Sequence, residues 1–269
     1  RDNTDRNRTS PFAFTGNKFE FRMCGSQQNL SDPNVVLNTA VAEQFDRFCT
    51  YVSERSGEAF TTVAMRFVRH TFRDHERILF DGNGYADEWE AEAERRGLPN
   101  LKSTADALSC LIKPENIALF DTYGVLNENE SRARYVAAAE QYAKLLNIEA
   151  NTMVYMTRHM YLPALFDYSG DIATSVATKA ELGIDAKAEK KMVSVLTDGI
   201  NAISDAVDDL EAKNAQAKGL EDPQAADDCY RDVVIPAMTT LRTAVDDMEK
   251  VCGHDYWPVP SYNKMLFYV

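Results

Sequence analysis

Asn7-Arg8-Thr9-Ser10-Pro11-Phe12-Ala13-Phe14-Thr15-Gly16-Asn17-Lys18-Phe19-Glu20-Phe21-Arg22-Met23 is the stretch whose reading decides the fold. From Lys18 to Met23 the residues alternate, with Phe19, Phe21 and Met23 on one side and Lys18, Glu20 and Arg22 on the other. That period of two marks a β-strand with one face on a core. Side chains two apart on a strand project in parallel, so Glu20 and Arg22 stand roughly 6.6 Å apart along the backbone. A carboxylate can hold a divalent cation, and a guanidinium can grip an anion through two parallel hydrogen bonds. Arg8, in the loop before the strand, adds a second cation. Two arginines and a carboxylate near one strand suggest chemistry on phosphates or carboxylates. The same alternation also describes a half-exposed antiparallel strand with ion pairs on its wet side. Pattern alone leaves both readings open.

Working outward, the chain has 269 residues, 45% of them apolar, enough to bury a core in one or two domains. Its apolar runs are far too short to span a membrane, which argues against a membrane partner. The net charge of −13 makes nucleic acid an unsuitable partner, because phosphate binding relies on clustered cations. The charge is uneven: residues 1–80 carry eleven Lys/Arg against ten Asp/Glu, and the remainder eighteen against thirty-two. The segment holding the candidate anion-binding groups is therefore near neutral. The five cysteines (Cys24, Cys49, Cys110, Cys229, Cys252) form no CxxC pair and point to reduced thiols in a cytosol-like compartment. His70, His75, His159 and His254 lack the spacing of zinc ligands.

Beyond the strand the periodicity turns helical. Asp32-Pro33 starts a helix that places Leu37, Val41, Phe45 and Phe48 on one face to about Val52. A second helix, about 58–75, is expected to bury Phe60, Val63, Phe67 and Val68 and to present Arg66, Arg69 and Arg73 to solvent. Ile78-Leu79-Phe80 reads as a short strand entering a turn. Asp87 to Arg96 is a polar helix stopped by Gly97. Its Glu88, Glu90, Glu92 and Glu94 diverge around the helix axis and cannot converge on one ion. Ser103 or Thr104 caps another short helix, and Phe120 to Gly124 reads as a turn. A long helical stretch, Ser131 to about Leu165, packs Tyr135, Ala139, Tyr142, Leu146, Met153 and Met156. Two further helices, 186–217 and 222–252, carry apolar residues at spacings of three and four: Met192, Leu196, Ile200, Ile203, Val207 and Leu210, then Val234, Met238, Leu241, Val245, Met248 and Cys252. They form a helical hairpin with a coiled-coil-like seam, its second arm interrupted at Pro236.

The wording of the opening stretch decides between its two readings. NRTSPFAFTGNKFEFRMCGS resembles the last active-site segment of glutamine synthetases of the large type III class, where an Asn-Arg-Ser/Thr loop leads into a strand of the form aromatic/Ile-Glu-aromatic/Val-Arg. GNGYADEWEAEAERRGLPNLKST (Gly82 to Thr104), NIEANTM (Asn147 to Met153) and WPVPSYNKMLFYV (Trp257 to Val269) also resemble that class. The resemblance implies an α+β fold, mostly helical, with one or a few antiparallel strands near the N-terminus and a long helical hairpin. Residues 1–130 would be the C-terminal part of the catalytic domain, and 131–269 a helical region with the hairpin at 186–252 and a docked tail.

The implied activity is ATP-dependent ligation of ammonia to L-glutamate through a γ-glutamyl phosphate, with Mg²⁺ or Mn²⁺ as cofactor. Glutamate, ammonia and ATP would be the small-molecule partners of a homo-oligomer of stacked rings, a dodecamer, in the cytoplasm; a targeting segment upstream of residue 1 stays compatible. By resemblance Glu20 is the metal ligand next to the γ-phosphate, Arg22 holds glutamate and the intermediate, and Arg8 contacts phosphate. Many relatives carry another phosphate-binding arginine five residues after the first. Ala13 stands there, and Lys18 or Arg6 is left to supply the charge. The family's other metal carboxylates, its metal-binding histidine and its ammonia-gating loop lie N-terminal to this segment. The chain is therefore expected to be the C-terminal part of a longer protein and inert alone. The competing reading is a non-catalytic helical scaffold.

Overall fold

A computed structural model of the chain describes residues 12–14, 18–21, 29–80, 84, 86–260 and 262–266. Two three-residue strands, β1 (Phe12–Phe14) and β2 (Phe19–Phe21), pair antiparallel, with Ala13 opposite Glu20. Helices follow: α1 (Ser31–Ser53), α2 (Phe60–Asp74), α3 (Asp87–Arg95), α4 (Thr104–Leu108), α5 (Pro114–Thr122) and α6 (Glu128–Met156). Then come α7 (Leu162–Glu181), α8 (Lys187–Lys218), α9 (Pro223–Cys229), α10 (Ile235–Glu249) and the short α11 (Tyr262–Leu266). The expected mostly helical α+β class, with strands near the N-terminus, is what forms. β1 lies in what the sequence presented as a loop.

The backbone divides into two units, residues 1–102 with 111–131, and 103–110 with 132–269. In the first, α1 and α2 pack through aromatic side chains. Phe48 meets Phe67 edge-on at 5.2 Å between ring centroids and Phe60 at 6.3 Å, while Tyr51 meets Phe67 at 5.4 Å. Val63 is fully buried, but Phe60 and Val68, expected in the core, are 60% and 43% exposed. One narrow stripe of α2 suffices to cover α1, and its remaining apolar residues face outward. Arg66 closes a two-pronged bridge to Glu58, at 3.1 and 2.7 Å.

Two local expectations fail here. Residues 76–78 form a 3₁₀ turn and Leu79-Phe80 has no regular structure, so no strand forms. Arg96 instead donates to the Leu79 carbonyl at 2.7 Å, and Phe80 stacks on Trp89 at 3.9 Å. Residues 120–122 continue α5 with Phe120 buried, and the chain turns only at Gly124, whose φ is +62°. Gly97 ends α3 at φ +69°, with Leu98 N–H reaching back to the Ala93 carbonyl at 2.9 Å. The α3 carboxylates are paired outward: Glu92 with Arg95 and Arg96, Glu90 with Lys102. Hydrogen bonds from those two arginines hold the Glu92 carboxyl down to about 2.

The second unit is built on α8, a 32-residue helix. Its residues Leu196, Ile203, Val207 and Leu210 are fully buried among α7 and α10, with Leu165, Val234, Leu241, Val245 and Met248 from those neighbours and the turns before them. Met192, Ile200, Met238 and Cys252 are partly buried against the same core, so the anticipated hairpin seam forms. Gly199 lets the two arms approach: a Cβ there would lie 2.1 Å from the Met248 sulfur. Trp257 in the tail is buried and stacks on Tyr161 at 5.1 Å, while the Tyr256 hydroxyl donates to Asp171 at 2.5 Å. α4 and residues 109–110 belong with this unit, where Ser103 caps α4 and Arg231 binds Asp106 at 2.6 Å.

The helical stretch expected to end near Leu165 instead runs to Glu181 through a π turn at Thr157–Tyr161. The same device occurs at Tyr230–Val234. Each π turn closes with a bond from the fifth residue on, Leu162 to Thr157 and Ile235 to Tyr230, and each is followed at once by a proline, Pro163 or Pro236. A proline ring collides with the carbonyl four residues back and offers no N–H; widening the preceding turn relieves the collision, and the helix resumes. Leu210 lies on the buried stripe at 0% exposure. Leu210→Ala is expected to cost about 2–5 kcal/mol of unfolding free energy, read from urea denaturation followed by circular dichroism. A loss below about 1 kcal/mol would show that this stripe is not the core.

Candidate functional site

β2 carries the sequence's metal-ligand candidate. Antiparallel pairing with β1 gives it the extended backbone from which Lys18 and Glu20, two apart, project on one side. The Glu20 side chain is 27% exposed, and Lys18 Nζ lies 3.4 Å from Glu20 Oε1 while remaining 64% exposed. A half-buried carboxylate beside an exposed ammonium is suited to binding a hard cation and the phosphate that travels with it. Phe19, on the opposite side, is 60% exposed in this chain. Arg8 and Arg22, the two arginine candidates, lie outside the described residues, as does Arg6. The structure thus brings together Glu20 and Lys18 of the expected set. No group of three His, Cys, Asp or Glu able to hold a metal occurs among the described residues.

The second unit holds polar groups that the sequence reading missed. Asp227 is 1% exposed, and among the described residues neither carboxylate oxygen has a hydrogen-bond partner. Burial, with the neighbouring Asp228 charge, raises its carboxyl to about 6. Burial and the same Asp227 charge push the phenols of Tyr135 and Tyr142 up. Asp227 lines a cavity of about 360 Å³ between α6, the end of α8 and α9. Nearby, the buried Asn214 donates to Asn147 at 3.1 Å and Asn151 at 3.2 Å on α6. The signal was in the helical phase. Asp227 precedes Tyr230 and Val234 by three and seven, and Asn214 follows Leu210 by four, so both polar residues sit on apolar stripes.

A larger cleft of about 620 Å³ lies beside the tail, lined by Met153, Met156 and Met238 on its apolar side and closed by Trp257. On its rim Arg242 grips Asp246 through bonds of 2.7 and 2.8 Å. Among the described helices none is long and apolar enough to cross a membrane.

Raising a carboxyl on folding has a definite sign. The stabilising contribution is complete below the ordinary aspartate value and is lost as pH rises through about 6. The wild-type chain is therefore expected to lose on the order of 1–3 kcal/mol of second-unit stability between pH 5 and pH 8 through this group. Asp227→Asn should abolish most of that difference. Urea midpoints of both proteins at the two pH values check this, and an unchanged slope in Asp227→Asn would contradict it.

Comparison with known proteins gives these features a context. A profile described as glutamine synthetase C-terminal domain matches residues 64–180. The chain is 35% identical over 275 residues to a type-3 glutamine synthetase of Dictyostelium discoideum, covering 99% of this chain and 37% of that protein. It is 33% identical over 274 residues to a glutamine synthetase of Butyrivibrio fibrisolvens, covering 99% of this chain and 38% of the relative. A glutamine synthetase of Bacteroides fragilis is 29% identical over 274 residues, with the same coverage of 99% and 38%. The chain thus spans little more than a third of the length of these relatives.

Proposed function

We propose that the chain is part of a glutamine synthetase and supplies one wall of the active site of an ATP-dependent glutamate–ammonia ligase. The observation that carries this reading is the pairing of β2 with β1, which sets the half-buried Glu20 beside Lys18 within a chain matched to such relatives over 99% of its length. Residues 1–130 are assigned to the catalytic domain, and 131–269 to the helical region that completes it.

In this reading the substrate glutamate is activated as an acyl phosphate, and ammonia displaces the phosphate. Such a site must gather several anions and neutralise charge on the transferring phosphoryl group. Glu20 would hold a divalent cation, Mg²⁺ or Mn²⁺. That ion, when bound, supplies Lewis-acid neutralisation of phosphate oxygens. Arg22, two positions on in the sequence, fits the carboxylate of glutamate, because its planar fork pairs bidentately with a carboxylate. Arg8 fits phosphate for the same reason, and Lys18 brings a point charge to the same edge. With no group of three His, Cys, Asp or Glu able to hold a metal among the described residues, the chain acts only as part of the complete protein, a homo-oligomer of stacked rings. The exposed Phe45, Phe60, Met65 and Phe72 of the first unit support a setting in which more protein covers them. The free thiols of Cys49, Cys229 and Cys252 fit a reducing, cytoplasmic compartment.

In the full-length protein, Glu20→Ala and Arg22→Ala are each expected to lower ATP- and glutamate-dependent glutamine formation by about 10²-fold or more. Coupled phosphate release and direct glutamine quantitation provide the measure. Wild-type rates in either variant would remove that residue from the site.

A further inference from the structure

The first unit has almost no interior of its own. Among its described residues, Val63 and Phe120 are the only apolar side chains that are buried, whereas the second unit gathers sixteen residues into one buried cluster. A domain is held together by the apolar surface it removes from water, set against the entropy of ordering every residue. Two buried side chains and the aromatic contacts between α1 and α2 fall far short of that for a unit of this length.

The apolar material for an interior is present, but it points outward. Phe60, Met65 and Phe72 of α2 are more than half exposed, and so are Ile78 and Leu79 in the turn beyond it. Phe67, Val68, Phe72, Ile78 and Leu79 line a groove of about 360 Å³, completed by Thr71 and His75. Among the described residues no Asp, Glu, Lys or Arg lines it. Such a groove gives a charged small molecule nothing to pair with and suits apolar side chains. An uncovered face of this kind marks a contact with more protein.

The relatives carry that protein: more than three fifths of each lies outside the part matched by this chain. A cover in the same polypeptide is held at high effective concentration by its tether. A second copy would bring a unit equally short of interior, and would leave both units uncovered whenever the protein is dilute.

We propose that the outward face of α2 and the groove beyond it are one half of an intramolecular core. The other half is apolar side chains from the part of the same polypeptide outside these 269 residues. The inference rests on the reading of this chain as part of a glutamine synthetase. The first unit and that outside part then fold together as one domain.

The test uses full-length protein carrying Phe72→p-benzoylphenylalanine, a photoreactive residue, prepared as an equal mixture of isotopically light and heavy chains. After near-ultraviolet irradiation, mass spectrometry is expected to find the position-72 peptide joined to a peptide from outside these 269 residues, both halves carrying the same label. Mixed-label pairs would put a second copy in the groove and overturn the proposal. Cross-links confined to these 269 residues, or none at all, would overturn it too. Hydroxyl-radical footprinting of the unmodified full-length protein guards against misfolding of the variant. Met65 and Phe72 should be oxidised about fivefold more slowly, or better, in the native protein than in urea, and equal rates would overturn the proposal. Glutamine formation is assayed on the same wild-type preparation. Same-label cross-links without turnover would support the shared core and remove the ligase reading, so the two fail separately.

Discussion

The burial of one stripe of α8 is the constraint on which the second unit depends. At 32 residues the helix is roughly 48 Å long, too long to be stable by propensity alone. Leu196, Ile203, Val207 and Leu210 give it a face that α7 and α10 cover from two sides. Both neighbours must then run alongside it for several turns, and both contain a proline. The π turns at Thr157–Tyr161 and Tyr230–Val234 are the local adjustment that lets each helix pass its proline and keep contact with the seam. At Gly199 the absence of a side chain admits Met248. The tail is fastened to the same body by the stacking of Trp257 on Tyr161.

A seam so apolar makes its polar interruptions informative. Asn214 and Asp227 both lie near the turn between α8 and α9, where α6 crosses. Asn214 shares its amide protons with two asparagines on α6, which ties the register of those helices. Asp227 has no such sharing, and its raised carboxyl records the cost of keeping it charged among apolar walls.

How much of this was readable beforehand depends on whether the information was local. The Lys18 to Met23 alternation foretold β2, the stripes of α8 and α10 foretold the seam, and Ser103 and Gly97 were legible as cap and stop because their roles depend on immediate neighbours. The misreadings share a different cause. Ile78-Leu79-Phe80 has strand-like side chains, yet it lacks a partner strand, and Arg96 and Trp89 hold it as a turn. Phe60 and Val68 are apolar and helical, but whether they are buried depends on what packs against α2. Residues 120–122 stay helical because Phe120 finds a core place. In the candidate site, Glu20 and Lys18 were legible because a strand's period fixes their side. The buried Asp227 was hidden because a pair of adjacent aspartates reads as surface until helical phase is considered.

What unites strand and bundle in this reading is the assignment of Glu20 to a metal in a phosphoryl-transfer site. Mn²⁺ binding measured by electron paramagnetic resonance tests it directly, on full-length wild-type protein and on Glu20→Gln, without relying on turnover. The account predicts that Glu20→Gln loses one class of bound Mn²⁺, or binds it at least tenfold more weakly, while the helical content is unchanged. Identical Mn²⁺ stoichiometry and affinity in the two proteins would contradict it.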